Sequence, residues 1–207
     1  MKITILTPLY WPSIGGVQVS MRLSAEYLAK QGHEVTVLTT QMAHSDEGNV
    51  RHFRRVEHFP ASETHQGVTI RRFPTGGGLD SIYGVLFALA YRLRLPFWRS
   101  LYQTYRLRRF RAPEMLAEIR RIQPDVLLIG PCLDELMRMA LQAKRETGCK
   151  LAIKTSLHIS AGGFLPQGLR LLEQFDAVIT NTVAENEFIA AKGVSIDRKS
   201  TRLNSSH

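Results

Sequence analysis

The chain has 207 residues, 27 Lys and Arg against 18 Asp and Glu for a formal charge of +9, and 44% hydrophobic against 22% charged residues. That is enough for one domain with a sizeable core, and too apolar for an intrinsically disordered polymer. Two cysteines exclude a disulfide framework, and the longest apolar run, Ile82 to Tyr91, is too short to cross a bilayer.

Ile3-Thr4-Ile5-Leu6-Thr7 reads as a first strand and Val17 to Gln31 as a helix, with Pro8 to Gly16 between them. The adjacent glycines Gly15 and Gly16 let the backbone approach a ligand closely, because no Cβ stands in the way. The free N–H groups of the helix's first turn point outward with the positive end of the dipole behind them, a setting that suits phosphate. Pro8, Pro12 and the glycines also break any secretory leader early, so a reducing cytoplasm is the expected compartment.

Val17, Met21, Ala25 and Leu28 share one face of that helix, Lys30 suits its last turn and Gly32 its C-terminal cap. Val35 to Thr39 is a second strand and Gly67 to Phe73 a third. A helix is expected over Pro113 to Ile122, with Met115, Leu116, Ile119 and Ile122 apolar and proline in its first turn. Val126 to Ile129 is a continuous apolar run of the kind found in central parallel strands. A helix from Leu133 to Thr147 ends at Gly148, and Leu151-Ala152-Ile153 opens a fifth strand. A short helix near Gly168 to Phe175 precedes a sixth strand, Ala177-Val178-Ile179, and a last helix runs from Val183 to Lys192.

Six strands joined by helices predict an α/β fold, a doubly wound parallel Rossmann-like sheet with right-handed crossovers. Cys132 then follows one strand and Cys149 precedes the next, at opposite ends of the sheet and too far apart to bridge. Ligands of such sheets bind beyond the carboxyl ends of the strands. The residues there are Tyr10 to Gln18, Pro131-Cys132, Ser156 to Gly163 and Asn181-Thr182.

A dinucleotide fingerprint fails on both counts: the glycines are adjacent with no third one following, and the second strand ends in Thr39-Thr40-Gln41 rather than an acidic residue. No G-K-[ST] follows the glycines, which excludes a P-loop, and the seven histidines lack metal-ligand spacing.

Ile5-Leu6-Thr7-Pro8, Gly15-Gly16-Val17-Gln18 and Gly32-His33-Glu34-Val35-Thr36-Val37-Leu38 resemble the N-terminal domain of family 4 retaining glycosyltransferases of the GT-B fold. Later landmarks agree in order. Pro124-Asp125-Val126 matches the "PDVV" entry to the fourth strand, and Lys154-Thr155-Ser156-Leu157-His158 resembles the "VxTxH" end of the fifth. Phe175 to Thr182 followed by Glu185 is similar to the "aDaVitvS…E" stretch, and the resemblance runs from Met1 to about residue 196.

This resemblance implies a role for each matched position. Gly15 and Gly16 bind the diphosphate or sugar of a nucleotide-sugar donor, Gln18 faces the acceptor, and His158 sits at the sugar-transfer centre. Tyr10 and Thr182 are further acceptor candidates, although Tyr10 and Trp11 read equally well as packing residues. Thr182 keeps a hydroxyl where serine is usual. The acceptor is expected to be a saccharide, lipid-linked or part of a cell-envelope glycan, with no cofactor or metal required. The second, donor-binding domain of such enzymes has no counterpart here, so this chain alone is expected to be inactive. Two rival readings stay open: a non-catalytic phospholigand-binding Rossmann module and an enzyme like the GT-B UDP-GlcNAc epimerases.

Residues 80–112 form a basic helical insertion within the domain of residues 1–196. Its arginines include Arg92, Arg99 and Arg106, interleaved with Leu86, Leu89, Leu93, Phe97 and Trp98. Arg92, Arg99, Arg106 and Trp98 are therefore candidate contacts with an anionic membrane, the peripheral inner face being the expected place. No nucleic-acid recognition motif accompanies the charge. The last stretch, Asp197-Arg-Lys-Ser-Thr-Arg-Leu-Asn-Ser-Ser-His207, reads codon by codon as a translated sequencing adapter, a non-native tail.

Overall fold

The structure, a computed structural model, describes residues 1–44, 53–55, 59–74, 78–98, 113–157, 168–196 and 200–202. In chain order its elements are β1 (Lys2–Leu6), α1 (Gly16–Lys30), β2 (Glu34–Thr40), β3 (Met42–His44), β4 (Phe53–Arg55), β5 (Ser62–His65) and β6 (Val68–Phe73). Then come α2 (Gly78–Arg92), α3 (Pro113–Ile122), β7 (Val126–Ile129), α4 (Asp134–Thr147), β8 (Lys150–Lys154), a 3-10 helix at Leu169–Gln174, β9 (Ala177–Thr180), α5 (Val183–Ala191) and β10 (Ser200–Arg202).

The six expected strands form one parallel sheet in the order β6-β2-β1-β7-β8-β9, which is the doubly wound arrangement. The main sheet has eight strands rather than six, because each edge gains one. β5 pairs antiparallel to β6 across Gln66-Gly67, where both φ angles are positive (50° and 79°), as a two-residue type I′ hairpin turn requires. Ser62-Glu63-Thr64-His65 carries no apolar residue and so gave no strand signal; the exposed edge of β6 supplies its pairing instead. β10 lies within the tail of adapter-like sequence and pairs parallel to β9, Ser200 beside Val178. A separate hairpin joins β3 to β4.

Alternation along the strands sends side chains to two faces. Ile3, Ile5, Val35, Val37, Val68 and Ile70 face α1, where Met21 and Ala25 are buried with Tyr10 beside them. The expected α1 stripe is thus the buried one, with Val17 and Leu28 packed at its rim. Leu6, Leu38, Leu127, Ile129, Leu151, Ile153 and Val178 face the opposite layer, made by α3, α4, the 3-10 helix and Ile189 of α5. Met115 and Ile119 of α3 are buried there, as their spacing predicts. Both cysteines are buried and free.

Candidate functional site

β1 lies between β2, its partner through α1, and β7, so the sheet changes winding direction between β1 and β7. A crevice opens at such a point at the carboxyl edge. The loops after β1 and β7 flank it, and each carries a cis peptide bond, Trp11–Pro12 and Gly130–Pro131.

The loop after β1 is pinned along its length. Thr7 Oγ1 donates to the Leu9 carbonyl (3.1 Å), Thr40 Oγ1 donates to the Pro8 carbonyl (2.6 Å), and the Ser13 N–H returns to Tyr10 (2.9 Å). Arg72, buried at the end of β6, donates to the Trp11 carbonyl (2.7 Å) and the Pro60 carbonyl (3.1 Å) and pairs with Glu63. The Trp11 ring stacks on His65 with centroids 4.5 Å apart, and the Arg22 guanidinium lies 5.2 Å from its centroid. Tyr10, an acceptor or packing candidate from the sequence, is buried in the α1-face core. Burial, with the nearby Glu26 carboxylate, pushes its phenol up, while Arg22 opposes the shift. Its hydroxyl has no partner among the described residues. Tyr10 lies within the α1-face cluster and Trp11 packs against it.

The glycines differ from one another. Gly15, at the N-cap of α1, is extended (φ 170°), and a Cβ there would fall on the folded-back Gln18 Oε1. Among the described residues nothing lies within 4 Å of where a Cβ on Gly16 would stand, and no side chain caps α1. The first turn therefore keeps its outward N–H groups beside open space, with Gln18 half-buried against Gly15.

The far side of the crevice is tied by one carboxylate. Glu185, in the first turn of α5, is 2% exposed. Its two oxygens accept the N–H of Leu157, after β8, and of Asn181, after β9 (2.6 Å). Thr182, an exposed residue, is the N-cap of α5, and its hydroxyl accepts the Glu185 N–H (3.2 Å). Asn181 Nδ2 donates to Ser156 Oγ (3.0 Å), and Ser156 holds a left-handed backbone (φ 48°), a strained state of the kind that collects at functional sites. Thr155 links the two loops further: its carbonyl accepts from Cys132 (2.9 Å) and its N–H donates to Ile179 (3.0 Å).

Lys154, the last residue of β8, is 7% exposed, and its ammonium donates to Ser20 Oγ on α1. Burial pulls the ammonium below its ordinary range, with Glu185 partly restoring it. Sequence reading assigned no role to Lys154, to Glu185's bridging carboxylate or to Arg72; a buried charge at a strand end was the signal available. Of the remaining expected residues, Arg92 is exposed on the last turn of α2 and Trp98 is half-buried, its ring edge-on to Tyr91 at 5.4 Å. His158, Arg99 and Arg106 lie outside the described residues. Among the described residues no group of three or more His, Cys, Asp or Glu could hold a metal ion.

Residues 15–201, from the glycine turn to the edge of the sheet, match the sequence profile of the glycosyl transferase 4-like domain. The chain belongs to that family. No curated protein sequence matches it. Among solved structures, Anabaena HepE in complex with UDP and glucose is similar with a TM-score of 0.58 at 14% identity, over 98% of this chain and 44% of that one. Sucrose-phosphate synthase from Thermosynechococcus elongatus follows at 0.55 and 11%, over 98% and 47%. The lipopolysaccharide outer core galactosyltransferase WaaB in its apo form gives 0.51 and 11%, over 97% and 44%. The glycosyl transferase 4-like chain thus has the fold of the N-terminal half of GT-B glycosyltransferases and spans a little under half the length of each of these proteins.

Proposed function

We propose that the longer protein to which this domain belongs transfers a sugar from a nucleotide-sugar to an acceptor, with retention of configuration. This chain supplies the acceptor-side wall of the cleft, and a second domain supplies the nucleotide site. The observation that carries the reading is the uncapped glycine turn opening α1 at the switch point, with free space over Gly16. UDP and UDP-glucose complexes of a protein with this fold support a nucleotide-sugar donor.

In transfer, the anomeric C–O bond to the diphosphate breaks, a new C–O bond to an acceptor hydroxyl oxygen forms, and the hydroxyl proton passes to the departing diphosphate. Negative charge collects on the departing diphosphate. The first-turn N–H groups at Gly16 and Val17 are fixed dipoles aimed where that charge grows, which is the most effective form of electrostatic stabilisation. Gln18 and His158 approach the acceptor and the transferred sugar.

Screening the longer protein against UDP-, GDP- and ADP-sugars tests this. Turnover with one of them is expected, and Gly16→Val, which fills the open space, is expected to lower kcat/KM by about 100-fold. Absence of turnover with all three classes overturns the reading.

A membrane-associated acceptor is favoured by α2. Ile82, Val85, Leu86 and Leu89 of this helix are exposed, as are Leu93 and Phe97 beyond it, and Arg92 and Arg94 flank them. Among the described residues no helix is long and apolar enough to cross a membrane. An apolar stripe rimmed by arginine instead suits insertion into an anionic interface. Sedimentation with vesicles containing phosphatidylserine, but not with neutral vesicles, is the expected result, and Leu86→Glu with Leu89→Glu abolishes it.

A further inference from the structure

We infer that Lys154 is an anion-binding residue of this site, its ammonium supplying the positive charge for a phosphate group seated beside Gly16. The inference rests on the glycosyl-transfer reading and adds to it a charged ligand carried by this domain itself.

Three observations carry it. Lys154 is over nine-tenths buried, yet no carboxylate among the described residues lies within ion-pair distance, and Ser20 Oγ is its one hydrogen-bond partner there. An ammonium has three donors, so two are unused among the described residues. Glu185 is near enough to act on it through space, but both its oxygens are committed to backbone N–H groups of Leu157 and Asn181.

Position gives the second. Ser20 follows Gly16 by four residues on α1, which places it on the same helix face about 6 Å along the axis. The ammonium bonded to Ser20 is therefore one turn from the open space over Gly16. It also ends a parallel strand at the carboxyl edge, where ligands of such sheets bind.

The third is residue type. Lysine is among the residue types almost never fully buried unless paired, yet Lys154 is buried at a strand end. One bond to a serine hydroxyl does not offset the desolvation of an ammonium, so lysine costs stability here unless an anion completes it.

The phosphate could be the donor's diphosphate or a phosphomonoester on the acceptor. Titrating the 207-residue chain with inorganic pyrophosphate and, separately, with glucose 6-phosphate distinguishes them, because the source whose chemistry fits binds more tightly. Lys154→Met is expected to weaken the tighter ligand by about tenfold or more while raising the midpoint of thermal unfolding. A lysine kept only to tie β8 to α1 predicts the opposite shift in the midpoint. In the wild-type chain the Lys154 side-chain methylene resonances should move on adding the anion, a readout that does not depend on the variant folding. Binding unchanged by Lys154→Met, a lowered midpoint, still resonances, or no binding of either anion up to about 10 mM overturns the inference. Absence of sugar transfer by the longer protein, with anion binding by Lys154 intact, would instead count against the transferase reading alone.

Discussion

The two sides of the carboxyl edge are secured by different means. The loop after β1 is held by several separate contacts: threonine hydroxyls on its carbonyls, the Arg72 guanidinium on the Trp11 carbonyl, and Trp11 stacked on His65. The loops after β8 and β9 converge on one buried carboxylate, Glu185, whose two oxygens hold a backbone N–H from each. Distributed contacts tolerate the loss of one member. A single buried charge with charge-assisted bonds does not, because its removal strands two amides at once.

The strongest way to break this contrast is Glu185→Ala. It should destabilise the chain by about 3 kcal/mol in urea unfolding, with amide-exchange protection lost at Leu157 and Asn181. On the other side Trp11→Ala should cost about 1 kcal/mol, since Arg72 and the threonines remain. Equal effects would show that the loop after β1 also depends on a single anchor.

The amino edge of the same strands is tied by Asp176, which accepts the Leu151 N–H (2.8 Å) and Lys144 Nζ (2.7 Å). Burial alone would raise its carboxyl, but these partners and Lys150 hold it below its ordinary value. The folded-state value is therefore depressed. Its stabilisation is complete above the unfolded value near 4, and it is lost as pH falls through the folded one. Asp176→Asn should flatten the acid limb of the stability–pH curve below about pH 4 and leave the neutral region with a loss of about 1 kcal/mol. An unchanged acid limb would show that another carboxylate controls it.

Gly16→Ala sharpens the distinction between holding a loop and leaving room beside it. With nothing near its Cβ position, the substitution should change stability by no more than about 0.5 kcal/mol while weakening anion binding. Gly15→Ala must displace Gln18 instead, so it should alter both. The smallest effect is expected from deleting residues 197–207. β10 adds three residues to an exposed edge by backbone pairing, and its removal should shift stability by less than about 0.5 kcal/mol.

Much of the fold could be read from local pattern. The β1 alternation, the α1 stripe of Met21 and Ala25, and the apolar run of β7 each recur in the structure within a residue of their expected bounds. What escaped was pairing without apolar content, as in β5 and β10, where an edge recruits a polar segment. The glycine turn that opens α1 was legible, because adjacent glycines after a strand leave a local mark. The division of labour among polar residues was not. The Thr182-x-x-Glu185 spacing is a local signal for a helix start, but that Glu185 also holds the N–H groups of Leu157 and Asn181 has no sequence signature apart from its neighbours in space.

The sequence by itself determined the strand order's raw material, the glycine turn and the family to which the chain belongs, because these depend on contacts within a few residues or on shared local motifs. Only the tertiary structure decided what Lys154 and Glu185 do. They lie 31 positions apart in the chain, with Ser20 a further 134 positions before Lys154. Whether a buried charge is satisfied depends on what the fold brings within 4 Å of it. Among the described residues it brings the backbone amides of two loops to the glutamate, and only a serine hydroxyl to the lysine.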